Sequence, residues 1–247
     1  MGIELIGLGI IVGTLSGFFG IGGGTILVPM LLLIGFDIKS AIGISVVQMV
    51  FSSIFGSYIN SKKGTLDIKM VLSIGVGGFA GALASSIVIN TLSALTLEWI
   101  FLLFIFFALV RLFFKTLEHQ DERVVHPVIL FIIGAVLGIF SISIGVGGSI
   151  LLVPLLVGFF HVPLKNAIAS GLFFVIFSSI AGLVSLSVNG SIDYVHGAVI
   201  GIASLLGVYG GIWLKHKTTD TLQKRLLLSF YIIILSYLIY RLVVVHG

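Results

Sequence analysis

Gly20-Ile21-Gly22-Gly23-Gly24-Thr25-Ile26-Leu27-Val28-Pro29 is answered later in the chain by Gly145-Val146-Gly147-Gly148-Ser149-Ile150-Leu151-Leu152-Val153-Pro154. The two stretches start 125 residues apart in a chain of 247. Further landmarks follow in the same order. Phe51-Ser52-Ser53-Ile54 returns as Phe177-Ser178-Ser179-Ile180, and Gly64-Thr65-Leu66-Asp67 as Gly190-Ser191-Ile192-Asp193, each 126 residues on. Matches in one order at one spacing define a duplicated half. In a membrane chain, duplicated halves are the usual build of a transporter.

Composition supports membrane embedding. Hydrophobic residues make up 58% of the chain and charged residues 9%, too few charges to clothe a soluble core. Residues 71–97 and 128–162 carry no Asp, Glu, Lys or Arg. In such a chain a net charge of +4 reports loop sidedness and does not point to nucleic acid. There is no cysteine, which excludes disulfides and thiolate metal sites. The first apolar stretch lacks a basic leader, and its 13–29 portion is matched by 138–154. It therefore reads as structure, not as a cleaved signal.

Apolar runs and loop signals predict about five segments per half: 3–19, 25–35, 40–60, 67–90 and 97–116, then 128–144, 149–160, 165–188, 194–214 and 224–245. A straight crossing takes ~20 residues, so the segments at 25–35 and 149–160 read as half-helices or broken spans. The expected domains are a first repeat over 1–117, a polar cytoplasmic connector over 118–127 and a second repeat over 128–247. Five elements is an odd number, so the second repeat is expected to be inverted. With alternating sides, Lys62, Lys63, Lys69, Arg111, Lys115, Arg123, Lys165, Lys215, Lys217, Lys224 and Arg225 fall on one side, against Lys39 and Arg241 on the other. The rich side is the expected cytoplasmic one, which puts both termini outside. The expected fold class is an all-α integral membrane protein of two inverted repeats with 8–10 membrane segments.

The glycine clusters are the leading candidate site. Glycine lets the backbone turn sharply and approach a ligand closely. The short helix after each cluster points free N–H groups and its positive dipole end at the loop. Inversion would bring Gly20, Gly22, Gly23, Gly24 and Thr25 toward Gly145, Gly147, Gly148 and Ser149 near the midplane, a setting for a small anion that needs no Lys or Arg. Thr25 and Ser149 would donate hydroxyls or cap the helices, and Pro29 and Pro154 suit a first helical turn. The competing reading is tight helix packing by small residues, which is expected of Gly77, Gly81, Gly197, Gly201, Gly207 and Gly211.

Gln48 lies near the centre of a predicted span, opposite Phe174 in the second copy, and reads equally as an anion donor or an interhelical hydrogen bond. Ser52, Ser53, Ser178 and Ser179 read first as packing serines. Asp67 and Asp193 each open a predicted helix. N-capping is the first reading and a coupling role, with His196 beside Asp193, the second. No catalytic set, metal-ligand spacing or Walker sequence occurs, so neither an enzyme nor a cofactor is expected. Without an ATP site, coupling to protons is the expectation.

At the glycine clusters the chain resembles the sulfite exporter TauE/SafE family, also grouped with toluenesulfonate uptake permeases. GFFGIGGGTILVP and its echo SISIGVGGSILLVP carry the resemblance, which extends over essentially the whole chain. It implies movement of a small sulfur-containing anion, sulfite or an organosulfonate, across a prokaryotic cytoplasmic membrane. It carries onto Gly20, Gly22, Gly23, Gly145, Gly147 and Gly148 as the shared signature. Ser149 stands where the first copy has Gly24, so the two cradles are unequal. The expected function is secondary transport by alternating access, with membrane lipid and a small anion as partners. A passive anion channel and a non-transporting scaffold are the rival readings. The anion, the direction, the coupling ion and the oligomeric state are not written in the sequence.

Overall fold

The computed structural model describes residues 2–66, 68–113, 126–188 and 192–245. These form helices only: α1 (Gly2–Phe19), α2 (Gly24–Leu33), α3 (Ile38–Lys62), α4 (Ile68–Leu83), α5 (Ser85–Thr91), α6 (Ala94–Phe113), α7 (Pro127–Ser143), α8 (Ser149–Phe159), α9 (Leu164–Ser187), α10 (Tyr194–Lys217) and α11 (Asp220–Val245). The ends follow local chemistry. Asp37 caps α3 by accepting the N–H groups of Lys39 and Ser40, both at 3.0 Å, and His126 caps α7, which has Pro127 in its first turn. Among the described residues four helices, α3, α9, α10 and α11, are long and apolar enough to cross a membrane. The short α2 and α8 match the two expected half-helices.

One predicted segment differs. The run 67–90 divides into α4 and α5 at Ala84. Hydroxyls from distant helices bond the backbone there: Ser185 donates to the Leu83 carbonyl at 3.0 Å and Ser143 to the Ser85 carbonyl at 3.3 Å.

The helices pack through glycine. In α1, a Cβ on Gly13 would lie 2.2 Å from the Ser204 carbonyl oxygen, and α10 answers with Gly207 and Gly211 against Ile10 and Thr14 carbonyls at 2.1 Å. The α4–α7 pair repeats this. A Cβ on Gly77 or Gly81 would stand 2.0 Å from the Phe131 or Ala135 carbonyl oxygen, and one on Gly134 would stand 2.0 Å from that of Ile74. Such approaches let backbones touch where lipid supplies no hydrophobic drive between helices. Gly197 and Gly201 also pack, against Val47 and the Phe51 ring. The packing expectation therefore holds for all six glycines named for it.

The pairings respect the duplication. α1 lies on α10 as α7 lies on α4; α3 touches α10 as α9 touches α4; α3 meets α9, and α6 meets α11. Exchanging the halves maps this set onto itself. α3 and α9 form the inner pair, with Ala41, Ile44, Met49, Ala167, Phe174 and Val175 fully buried. Outer faces carry large exposed apolar side chains such as Leu206, Trp213 and Ile233, as a lipid-facing surface requires.

Candidate functional site

The two glycine loops have the same backbone. Gly20, Gly22 and Gly23 take φ of 73°, 73° and 87°; Gly145, Gly147 and Gly148 take 77°, 78° and 84°. Each left-handed residue disfavours a Cβ by roughly 1–2 kcal/mol. The same glycine therefore recurs at the same step in both copies. The helices begin at Gly24 and Ser149, with Gly23 and Gly148 as caps and no side-chain capping bond. Thr25 and Ser149 are thus not N-caps. Pro29 and Pro154 sit inside the helices, later than the first turn. A proline there strips a helical donor from the carbonyl four residues back. For Pro154 that carbonyl is Ile150, and the fully buried Tyr231 hydroxyl donates to it at 2.5 Å. For Pro29 it is Thr25.

The loops meet each other between α3 and α9. A Cβ on Gly24 would stand 2.1 Å from the Gly145 carbonyl oxygen and 2.7 Å from Ser45 Oγ. That hydroxyl donates to the same Gly145 oxygen at 2.9 Å. On the mirrored side, Ser149 Cβ is what a Cβ on Gly171 would meet, at 3.1 Å. Gly171 occupies the position in α9 that Ser45 occupies in α3. The small and large residues have changed places between loop and helix, so Ser149 replaces Gly24 without overfilling. Ser52 donates to the Gly22 carbonyl at 3.2 Å, and Ser178 to that of Gly147 at 3.0 Å. These two serines, read first as packing and helix-bonding residues, bond their own helix and also hold each loop to its neighbouring helix.

Polar groups accumulate here without partners. Gln48 is fully buried, and neither atom of its amide has a hydrogen bond. The interhelical bond weighed for it is absent among the described residues. Its amide lies against Gly23, where a Cβ would be 2.5 Å from Oε1. Phe174 covers Gly148 in the same way at 2.6 Å. The buried hydroxyls of Ser16, Thr25, Ser141, Ser149 and Ser170 also lack partners. Among the described residues, the N–H groups of Gly20, Ile26 and Leu27 find acceptors, as do those of Gly145, Val146, Leu151 and Leu152. Those of Gly22, Gly23, Gly24 and Thr25, and of Gly147, Gly148 and Ser149, do not. Native proteins satisfy most buried polar groups, so the open donors gathered at two helix N-termini make this cluster the candidate site.

The surroundings are unequal. A cleft partly open to the surface lies beside α2 and is lined by Thr25, Pro29 and Ile42, by Val146 of the second loop, and by Tyr237 and Arg241. α6 packs on α8 next to the second loop.

Asp193 stands apart from this cluster. Asp193 caps α10: it accepts the His196 N–H at 3.1 Å and pairs with His196 Nδ1 at 2.5 Å. Burial pulls its carboxyl upward, but the hydrogen bonds from the His196 side chain and backbone outweigh this and hold it below the ordinary carboxylate value. Asp67 lies outside the described residues.

A family model described as sulfite exporter TauE/SafE matches residues 5–238. The probable membrane transporter protein YdhB of Bacillus subtilis is 28% identical over 89% of this chain and 91% of its own length. A probable membrane transporter protein of Methanocaldococcus jannaschii is 29% identical over 78% of this chain and 74% of its own. Another from Bacillus subtilis, YunE, is 24% identical over 91% and 89%. No solved structure matches the chain.

Proposed function

The chain belongs to the sulfite exporter TauE/SafE family of membrane transporters, and on that premise we propose that it is a secondary transporter of a small sulfur-containing anion, sulfite or an organosulfonate. The anion sits between residues 20–25 and 145–149. The observation that carries this reading is the cluster of unpartnered donors: Gln48, Thr25, Ser149 and the loop N–H groups, all buried at two helix starts. An oxyanion leaving water needs its lost hydrogen bonds replaced, and these groups replace them with dipoles. With no buried Lys or Arg among these donors, release stays easy, as translocation requires.

The two halves act as inverted repeats that rock around the site. Support comes from helix pairings that survive exchange of the halves and from the five apolar segments read in each half, with α4 and α5 together standing for the fourth of the first. The open cleft beside α2 and the packed α6–α8 contact are what one state of such a rocking molecule presents. The uneven spread of basic residues supports a cytoplasmic side bearing the connector and both termini outside. Relatives in Bacillus and Methanocaldococcus support a prokaryotic cytoplasmic membrane.

Reconstituted protein tests this directly. Liposomes loaded with unlabelled sulfite should accumulate labelled sulfite by counterflow, and uptake should saturate. Gly22→Val and Gly147→Val should abolish both while leaving insertion intact. Flux that rises linearly without counterflow would identify a channel. No flux of sulfite, thiosulfate or simple sulfonates would overturn the substrate class.

A further inference from the structure

One buried charge lies outside the glycine site. Lys215, near the end of α10, is fully buried, and Asn60 Oδ1 accepts from its Nζ at 2.5 Å. Asn60 is itself fully buried and fixed in orientation, its Nδ2 donating to the Gly56 carbonyl at 2.9 Å. An ammonium has three donors, and among the described residues Asn60 is the one acceptor, with no carboxylate within ion-pair distance. Asp220, at the start of α11, pairs with Lys165 at 3.1 Å. The charged groups acting on Lys215 are Lys165 and Lys63, which add positive charge. Ser57, one turn before Asn60 on α3 and 4% exposed, has an unpartnered hydroxyl. Buried charges are normally paired, and those left within membrane helices are functional by default.

The position lies on the same face of α3 that meets the glycine loops. Ser45, Gln48, Ser52, Gly56 and Asn60 follow one another at three- and four-residue steps along α3, all buried. Ser45 bonds Gly145, Gln48 lies on Gly23, Ser52 bonds Gly22, and Asn60 bonds Lys215. Eight residues of helix put Lys215 about 12 Å beyond the Ser52 contact. Leu172, Val208 and Ile212 close over Gly56 between them, within 2.9–3.7 Å of where its Cβ would be.

We propose that Lys215, with Asn60 and Ser57, forms a second oxyanion site. It receives the anion on the α3 C-terminal side of the glycine loops, behind the Leu172–Val208–Ile212 collar. The ligand is a small oxyanion that takes the two remaining ammonium donors and the Ser57 hydroxyl. Its role as a transport way-station rests on the anion-transport reading above; its existence as a binding site does not.

The test is sulfite and sulfate titration of the purified full-length protein in nonionic detergent, followed by calorimetry and thermal unfolding. The variants are Lys215→Met, Lys215→Arg, Asn60→Ala and the pair Gly22→Val/Gly147→Val. Wild type should show two binding events. Lys215→Met should lose one, Lys215→Arg should keep it within about threefold, and Asn60→Ala should weaken it about tenfold. The glycine pair should lose only the other. In liposomes of phosphatidylcholine alone, Lys215→Met should cut sulfite flux at least tenfold. If its effect appears only when phosphatidylglycerol is included, the oxyanion is a lipid headgroup and the site is not a way-station. Lys215→Met that melts lower yet binds and transports like wild type would overturn the proposal and make Lys215 a strut between α3 and α10. Loss of all binding in the glycine pair would overturn it as well, while sparing the central site. Two binding events without flux would sink the transport reading and leave the site.

Discussion

Gly24→Ala tests the contact that joins the two loops. Gly24 is helical, so the added methyl carries no backbone strain, and its effect is purely one of space. The new Cβ would lie 2.1 Å from the Gly145 carbonyl oxygen, 2.7 Å from Ser45 Oγ and 3.0 Å from Met49 Sδ. Carbon–oxygen contacts settle at about 3.3–3.6 Å, so the loops must part by more than about 1 Å. Met49 can swing away; the Gly145 backbone, held by Ser45 and by its own left-handed φ, cannot do so cheaply. Overpacking of this kind costs about 1–3 kcal/mol, a destabilisation a folded membrane protein survives. The displacement falls on the proposed anion cradle. Sulfite counterflow into liposomes should fall at least tenfold per inserted molecule. Gly35→Ala is the control. Gly35 has φ of 100° with open space around it, so alanine there strains the chain by a comparable ~1–2 kcal/mol away from the loops. It should lower the melting temperature while transport stays normal. Wild-type transport by Gly24→Ala, or equal loss in both variants, would refute the reasoning.

Gln48→Leu removes two unsatisfied buried amide atoms, so thermal unfolding should show a protein more stable by about 1–3 kcal/mol, yet one whose sulfite affinity falls. A destabilised Gln48→Leu with unchanged affinity would make the amide structural. Tyr231→Phe leaves the Ile150 carbonyl without its replacement donor and should cost about 1–3 kcal/mol, read by the same unfolding assay. Asp193→Ala should cost about 1 kcal/mol as a lost cap. Because the folded Asp193 carboxyl lies below its ordinary value, its contribution is present above the unfolded pKa and is lost as pH falls below about 4. A melting-temperature profile from pH 6 to 3 should therefore fall less steeply in the variant.

Most element positions were legible because glycine clusters and prolines punctuate the apolar runs. The short α2 and α8 start within a residue of their expected places. The break at Ala84 was not legible. Leu83-Ala84-Ser85 contains no glycine or proline, and the hydroxyls at the break come from Ser143 and Ser185, 58 and 102 residues from their acceptors. The positive φ at six glycines followed from repetition of GxGG. The exchange of Gly24/Ser45 for Ser149/Gly171 could have been found by comparing the copies on α3 and α9, but its meaning lies in the contact between loop and helix. Lys215 illustrates the opposite case. By sequence it is one of several lysines at a segment end, and only the packing of α3 on α10 reveals that it is buried. Asp193 reads the same at both levels, as a cap.

The most direct measurement is the location of a bound anion in a crystal structure of the protein soaked with selenite, whose selenium marks a sulfite-like oxyanion by anomalous X-ray scattering. The predicted result is selenium between the two loops, within hydrogen-bonding reach of the Gly23, Gly24, Thr25 and Ser149 N–H groups and the Gln48 amide. Selenite that binds in solution but occupies none of these positions would contradict the assignment of the glycine loops as the substrate site.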